Sequence, residues 1–441
     1  APDQPLRGVI HLHSLDLPPE QTRLDLAAAP DLAPCRSALQ LIQALVSAEP
    51  GRAPPQLFLV TRGAQSTHAA ESAEPVQALL WGFGAALTHE HPGLVVRRID
   101  LERGGAATAA HQLAQEILAP DAERELALRG ETRLGMRLVQ LDLPPAGPEP
   151  LNAEATYLIT GGLGGLGLTT ARWLVDQGAR HLLLLGRSAP SAEAEQAVQE
   201  LRARGVQVRT VQADVADEDD VRRALAGLPG GPHPLRGVIH AAAVLADSTL
   251  IHLTEAQLKT VLAAKAVGAL HLHRLTAELP LDFFILFSSV TSVLGGPGQA
   301  SYAAANALLD ALAQHRRAHG LPGLSVNWGA WAQVGLAARQ NVLDRLEARG
   351  VLAMQPADAI APLGGWMHSG RAQVAVCALD VERREALFAV QDVPTRVRAR
   401  GGIGWGVLGH RRIVFHTPLS LPIVCYSWGR CRMSDKDAYL R

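Results

Sequence analysis

The sequence predicts an α/β protein made of two Rossmann-like subdomains, a truncated structural one followed by a catalytic doubly wound parallel sheet. Three observations carry this. Short apolar runs alternate with helical stretches along most of the 441 residues, the pattern of βαβ units. The segment Pro5-Leu6-Arg7-Gly8-Val9-Ile10-His11 recurs identically as Pro234-Leu235-Arg236-Gly237-Val238-Ile239-His240. Each copy is followed by a helix, a buried strand, a second helix and a final strand. A glycine-rich turn between a strand and a helix stands only in the second half, at Thr160-Gly161-Gly162-Leu163-Gly164-Gly165-Leu166-Gly167.

The first subdomain, residues 1–150, opens with the strand LRGVIHLHSL and a helix around Cys35–Ser47. The strand QLFLVTRGA, a helix near Pro75–Thr88, the strand GLVVRRIDL and the paired strands of ELALRGETRLGMRLVQL follow. The proline-rich run from Pro144 to Pro150 marks its boundary. This half has no glycine-rich turn, and its helix at Trp81–Gly84 carries no Tyr/Asn pair, so it reads as a structural copy without reactive groups. Its own first strand and glycine turn would fall before residue 1. With no initiator methionine, the chain is expected to be a piece of a longer one.

Residues 151–390 form the second subdomain. ATYLIT runs into the glycine turn, whose small residues let backbone approach a pyrophosphate while the next helix offers free N–H groups and a positive dipole end. The second strand, HLLLLGRS, ends at Arg187-Ser188, where a cofactor with unphosphorylated ribose would be met by an acid. An arginine suits a 2′-phosphate, which favours NADP. VQVRTVQADV is a third strand with Asp214 at its end. A fourth, GVIHAAAV, places the small residues Ala241, Ala242 and Ala243 after His240, as a flat cofactor ring against backbone requires.

The fifth strand, DFFILFSSV, is nearly all apolar, as in a strand buried on both faces. Ser289 stands at its C-terminal edge, where open α/β sheets bind ligands. After the loop Gly295-Gly296-Pro297-Gly298 comes a helix in which Tyr302 and Asn306, four apart, share a face. A hydroxyl at a strand end and a phenol on the next helix can converge on one carbonyl oxygen, the geometry of proton transfer. The chain holds three lysines and four tyrosines against free use of arginine. Lys265, in the helix TEAQLKTVLAAKAVGALHLHRLT, is therefore a candidate selected as lysine. LSVNWGAW is the next strand, and Gln333–Gly350 reads as a helix able to close over a substrate. From Gln391 the pattern fails: residues 391–441 are a tail of unassigned structure.

Composition narrows the function classes. The chain is 48% hydrophobic with a formal net charge of −1. No basic patch dominates, so nucleic acid is not an expected partner. No apolar stretch reaches the roughly 18–20 residues of a membrane span. The four cysteines (35, 377, 425, 431) form no CxxC pair, which fits a reducing cytoplasm. Three HxH pairs, His11/His13, His89/His91 and His271/His273, have no third ligand spaced near them, so no metal is expected.

Thr160-Gly161, Gly165 and Gly167, His240-Ala241-Ala242, Ser289 and Tyr302 together resemble the short-chain dehydrogenase/reductase superfamily. There a lysine usually follows the tyrosine by four residues. Here that position is Asn306 and the lysine lies upstream at Lys265, an exchange similar to the ketoreductase domains of modular polyketide synthases, as are LLWGFGAALTHEHPGL and SYAAANALLDAL. The resemblance runs from residue 1 to about residue 390. It implies NADPH-dependent reduction of a β-ketoacyl thioester carried on an acyl carrier protein, beside other synthase domains. Tyr302 would donate the proton, Ser289 would hydrogen-bond the ketone oxygen, Lys265 would favour the phenolate and hold the cofactor ribose, and Asn306 would orient Lys265 or a relaying water.

The resemblance also assigns Val215 to the cofactor and Trp331 to the substrate. Leu245-Ala246-Asp247 matches the family's Leu-Asp-Asp fingerprint at its first and third positions, Pro297 matches a second marker of that class, and Leu294 stands where the opposite class carries tryptophan. A B-type reductase giving the D-configured 3-hydroxyacyl product is expected. Two other readings stay open: a stand-alone dehydrogenase acting on a diffusible alcohol, and a reductively silent domain kept for architecture or epimerisation.

Overall fold

The repeated heptapeptide forms equivalent strands in both halves of the chain. The computed structural model describes residues 6–17, 33–47, 55–141, 150–335 and 343–380, with the backbone of 397–398 and 423–430. The first subdomain runs β1 (Gly8–His11), α1 (Ala33–Val46), β2 (Gln56–Arg62), α2 (Pro75–Glu90), β3 (Val96–Leu101), α3 (Ala106–Leu118), β4 (Glu125–Arg129) and β5 (Thr132–Leu141). The second runs β6 (Thr156–Thr160), α4 (Gly165–Asp176), β7 (His181–Gly186), α5 (Ala192–Ala203), β8 (Gln207–Gln212), α6 (Glu218–Leu225) and β9 (Leu235–His240). It continues through α7 (Glu255–Leu262), α8 (Gly268–Thr276), β10 (Phe283–Ser289), α9 (Ala300–Ala318) and β11 (Leu324–Trp328). Then come β12 (Val351–Leu352), β13 (Gln373–Val376), β14 (Ala378–Leu379), β15 (Val397–Arg398) and β16 (Ile423–Arg430).

One sheet joins the strands in the order β1-β2-β3-β4-β5-β16-β13-β11-β10-β9-β6-β7-β8. The parallel run β1-β2-β3-β4 of the first subdomain repeats as the parallel run β9-β10-β11-β13 of the second. Only the second copy continues past its repeated strand, into β6, β7 and β8. β4 and β5 form the antiparallel pair expected from ELALRGETRLGMRLVQL, turning at Gly130, whose φ of 54° favours glycine.

The structure differs from the sequence reading at the tail. Within residues 391–441, β16 pairs antiparallel with both β5 and β13 and so bridges the two halves of the sheet. No period in that stretch announced it, because a bridging strand needs backbone partners more than an alternating face. The boundary run 142–149 and most of the tail lie outside the described residues. So does 336–342 of the expected closing helix, of which Leu343–Glu347 is helical.

The two subdomains meet through equivalent helices, α2 and α9. Leu79, Leu80, Phe83 and Leu87 share one buried cluster with Ala304, Ala305, Leu308 and Leu312. Burial of such side chains is worth about 1.5–3 kcal/mol each for the larger ones. Gly82 lets the backbones touch, since a Cβ there would collide with the Ala303 carbonyl. Glycine inside a helix costs about 1 kcal/mol relative to alanine, and the close packing of α2 on α9 offsets it. No helix among the described residues is long and apolar enough to cross a membrane.

Candidate active site

The C-terminal edges of β6, β7, β9 and β10 open onto a cavity of about 960 Å³. Lys265, Ser289 and Tyr302 line it together with Gly161, Leu163, Gly164, Gly165, Leu166, Gly167, Arg187, Ser188 and Ala241. Asp247, Leu294, Pro297 and Trp331 line it as well. Thr160, Asp214, Val215, His240, Ala242 and Asn306 do not line it.

Tyr302 is on the first turn of α9, and Lys265 approaches it from the helix before β10. The Lys265 ammonium donates to the Tyr302 hydroxyl at 3.4 Å and lies 4.7 Å from the ring centroid. Lys265 sits on a π-helical turn, Ala263–Val267, inserted between α7 and α8. Such turns widen a helix locally and often mark functional positions.

His240 fixes that turn. Its Nε2 donates to the Lys265 carbonyl at 2.9 Å, because a carbonyl only accepts. Nδ1 is therefore the acceptor and takes the Thr160 hydroxyl proton at 2.7 Å. The same Thr160 oxygen accepts from the Ala242 N–H at 3.3 Å. Burial is the main reason the His240 imidazole is pushed down to about 4, so it stays neutral and keeps this donor–acceptor polarity. One chain of contacts thus runs from the end of β6 through the end of β9 to the lysine that faces the phenol.

Asn306 is fully buried one turn below Tyr302, and its Nδ2 donates to the Tyr302 carbonyl at 2.8 Å. Its Oδ1 has no hydrogen-bond partner among the described residues, which leaves an acceptor for Lys265 or a relaying water. Ser289 ends β10 with its Oγ accepting from the Thr291 N–H at 3.3 Å. A residue pair that the sequence reading missed holds this strand end. The buried Asp310 carboxylate accepts from Ser292, Ser325 and the Asn327 amide. Asn327 also donates to the Ser289 carbonyl and the Ser288 hydroxyl. Burial pushes the Asp310 carboxyl up. An Asp inside NALLDAL and an Asn inside SVNWG, each polar within an apolar run, were the available signals.

The glycine turn fits a pyrophosphate cradle. Gly161 has φ 64°, and a Cβ there would press the Ala241 and Ala242 backbone at 3.0 Å. At Gly167 a Cβ would collide with the Gly161 carbonyl. The Gly162 and Gly164 amides donate to Leu185 and Gly161, both at 3.0 Å. Arg187 is exposed at the cavity rim, and its guanidinium makes no hydrogen bond to another described residue. Asp214 is spent on its own turn: its carboxylate accepts from Ala216, and its N–H donates to Asp220. Val215 is buried, and its carbonyl accepts from His271.

The first subdomain shapes the entrance. The Glu90 carboxylate, at the end of α2, accepts from the Gly298 N–H at 2.9 Å and the Leu250 N–H at 2.5 Å. It thereby clamps the loop after β10 and the loop after β9. His89 beside it bonds the Leu294 carbonyl, and a Cβ at Gly295 would strike the Ala85 carbonyl. The Gln43 amide donates to Leu250 and Leu253, both at 3.0 Å. Asp247 accepts from Gln299 at 3.1 Å, two residues from Pro297. Burial raises its pKa, and the Gln299 bond opposes that rise. Leu294 is buried, packed with Trp81, Val290 and Val293. Trp331 is buried edge-on to Trp328, with ring centroids 5.1 Å apart.

Both halves of the chain resemble known proteins. Residues 155–333 match the family model described as KR domain, and residues 6–138 match the model for the Rossmann fold domain of the polyketide synthase extender module SpnB. The chain is 41% identical over 338 residues to the polyketide synthase GfsA of Streptomyces halstedii. It is 37% identical over 374 residues to a phenolphthiocerol/phthiocerol polyketide synthase of Mycobacterium tuberculosis. Those matches cover 75% and 83% of this chain but only 4% and 20% of the relatives. Among solved structures, an A-type ketoreductase from a modular polyketide synthase superposes with a TM-score of 0.76 at 38% identity, covering 81% of this chain and 75% of that one. An A1-type ketoreductase gives 0.77 at 38%, covering 84% and 77%. With this fold, this site and these relatives, the chain belongs to the ketoreductases of modular polyketide synthases, oxidoreductases of the short-chain dehydrogenase/reductase type.

Proposed function

We propose that the protein reduces a β-ketoacyl thioester, presented on an acyl carrier protein within a multidomain synthase of the cytoplasm, to the D-configured 3-hydroxyacyl thioester with NADPH. The observation that carries the reading is the convergence of Lys265, Tyr302 and Ser289 at the wall of a cavity whose other end is the glycine cradle. NADPH, when bound, supplies the hydride. Every other part of the reaction belongs to the chain. As the ketone gains charge on oxygen, Ser289 and Tyr302 stabilise it by hydrogen bonds aimed at the developing alkoxide. Tyr302 then delivers the proton. The ammonium of Lys265 stands 3.4 Å from the Tyr302 hydroxyl, so a positive charge faces the oxygen that gives up the proton. Asn306, whose Oδ1 has no hydrogen-bond partner among the described residues, would orient Lys265 or a relaying water.

Product configuration follows from the entrance. With the cradle and Tyr302 fixed, the side on which the acyl chain enters decides which ketone face is reduced. Asp247, held by Gln299 beside Pro297, borders the cavity, and Leu294 lines it at the position where the opposite class carries tryptophan. The solved relatives named above are A-type, so product configuration is a stringent test. Purified protein mixed with NADPH and a β-ketoacyl thioester should consume the reduced cofactor, and chiral chromatography should show the D product. No consumption would favour a silent domain, and a mainly L product would overturn the B-type reading. Arg187→Ala should weaken NADPH binding about tenfold or more and NADH binding little, because a charge-assisted bond to the 2′-phosphate is lost. Equal loss for both cofactors would remove Arg187 from the site.

A further inference from the structure

We propose that Glu154, His181 and His233 form a binding site for a divalent transition-metal ion such as Zn²⁺, at the end of the catalytic sheet opposite the reductase cavity. β6 lies between β7 and β9, with Thr156 in register with His181 on one side and Leu235 on the other. His181 is the first residue of β7, while Glu154 and His233 lie two residues before those register positions. The starts of three adjacent parallel strands, set about 4.8 Å apart, therefore bring the three side chains together. One ligand atom from each lies within 4.8 Å of the others. The two imidazoles stack with centroids 3.5 Å apart and planes 20° apart.

The ligand set suits such an ion. Two imidazoles and a carboxylate are the protein donors of many four-coordinate zinc sites that leave one position to solvent. His233 is already oriented for it. Its Nδ1 donates to the Glu154 carbonyl at 3.1 Å, so the hydrogen sits on Nδ1 and Nε2 presents its lone pair. The backbone at His233 is fixed against β6, since the Thr156 hydroxyl donates to the His233 carbonyl at 2.7 Å and the Thr156 N–H to Pro234 at 2.9 Å. The Glu154 carboxylate is exposed, 3.5 Å from His233 Nδ1, and a turn of the two rings out of their stack would aim their in-plane lone pairs at one ion beside it. An ion here would tie the starts of β6, β7 and β9 together without touching the reaction. β6 has five residues, which at about 3.3 Å each separate the site from the glycine cradle by the length of the strand. The ligands come from sequence positions 154, 181 and 233, and no short motif spans them.

The test uses the full chain, free of any purification tag and stripped with a chelator, titrated with Zn²⁺ against a competing chromophoric chelator. One equivalent should bind, and Glu154→Gln, His181→Gln and His233→Gln should each weaken it at least tenfold. His11→Gln, in one of the HxH pairs, should leave it unchanged. Zn²⁺ should raise the melting temperature of the wild type and not of the three variants, with reductase activity equal in all of them. The exposed Glu154→Gln change keeps the test decisive if a histidine variant folds poorly. Absence of a one-equivalent site, or an affinity that Glu154→Gln does not move, would overturn the proposal.

Discussion

β1 and β9 begin from the same seven residues and end on the same histidine, yet the two histidines do different things. His11, in the first copy, bonds Ser37 through Nε2 at 3.1 Å, and its Nδ1 is buried with no hydrogen-bond partner among the described residues. His240, in the second, is bonded on both nitrogens, to Thr160 and to the backbone of Lys265. Burial first, then His13, holds His11 at about 4, and burial holds His240 there too. An identical strand in an equivalent place thus serves packing in one copy and, in the other, holds the turn whose lysine faces Tyr302. The difference lies in what surrounds the strand. Among the described residues, only β9 has a strand such as β6 beside it, with Thr160 at its end, and only the helix after β9 carries a π-helical turn, the one that brings Lys265 to the sheet edge.

The comparison is broken most completely by removing the group that only the second copy has. Tyr302→Phe deletes one hydroxyl in a helix whose counterpart, α2, has no phenol. Ketone reduction should fall by about 10²–10⁴, the usual worth of a positioned general acid, with NADPH affinity within a few-fold. Steady-state rates and cofactor titration check this, and turnover near wild type would remove Tyr302 from the chemistry.

Acid should reveal what the copies share. Both histidines sit below the ordinary value near 6.5 when folded, so between about pH 6.5 and 4 the unfolded chain binds more protons than the native one. Stability is then complete above the unfolded value and is lost as pH falls through that window, by on the order of 3 kcal/mol for His240. Denaturant unfolding from pH 7 to pH 4 should show the decline, and His11→Gln and His240→Gln should each make it shallower, with the buried His273, pushed down to about 3, keeping part of the slope. A level curve in the wild type would contradict the buried, neutral state of both rings.

Activity should then separate the pair again. His240→Ala frees the turn that carries Lys265, and a misplacement of about 1 Å can cost about 10² in rate. His11→Ala should leave kcat and KM within a few-fold. The positioning role predicts a change in the pH profile of kcat for His240→Ala, which a purely structural loss would not produce. Equal effects from both substitutions would erase the distinction.

The smallest expected effect tests whether the inert copy shapes the active one. Glu90→Gln replaces the carboxylate that holds Gly298 and Leu250 with an amide that accepts less strongly. kcat/KM should drop about tenfold, mainly through KM, consistent with loss of charge-assisted bonds worth about 1.5–3 kcal/mol. An unchanged KM would mean that the entrance loops hold their shape without the first subdomain.

The sequence by itself determined the alternating architecture and the internal repeat, and it singled out most of the residues that the fold brings to the cavity. Glycine in a turn, apolar runs of strand length and a four-residue helical spacing are local physics, and Gly161, Gly167, Ser289, Tyr302 and Asn306 were legible from it. The structure places Lys265, Ser289 and Tyr302 at one cavity and Asn306 directly behind it. Contacts between segments far apart in sequence were decided by tertiary structure alone. The carboxylate of Glu90 reaches loops 160 and 208 residues away, β16 inserts between β5 and β13, and Asp310 and Asn327 meet beneath Ser289. His240 was read as a cofactor-binding residue ahead of the small residues that a flat cofactor ring requires, and the packing of the π-helical turn gave its Nε2 the Lys265 carbonyl as partner. A strand ends where its local sequence dictates, but what a side chain at that end can do depends on its neighbours, and distant parts of the chain supply those.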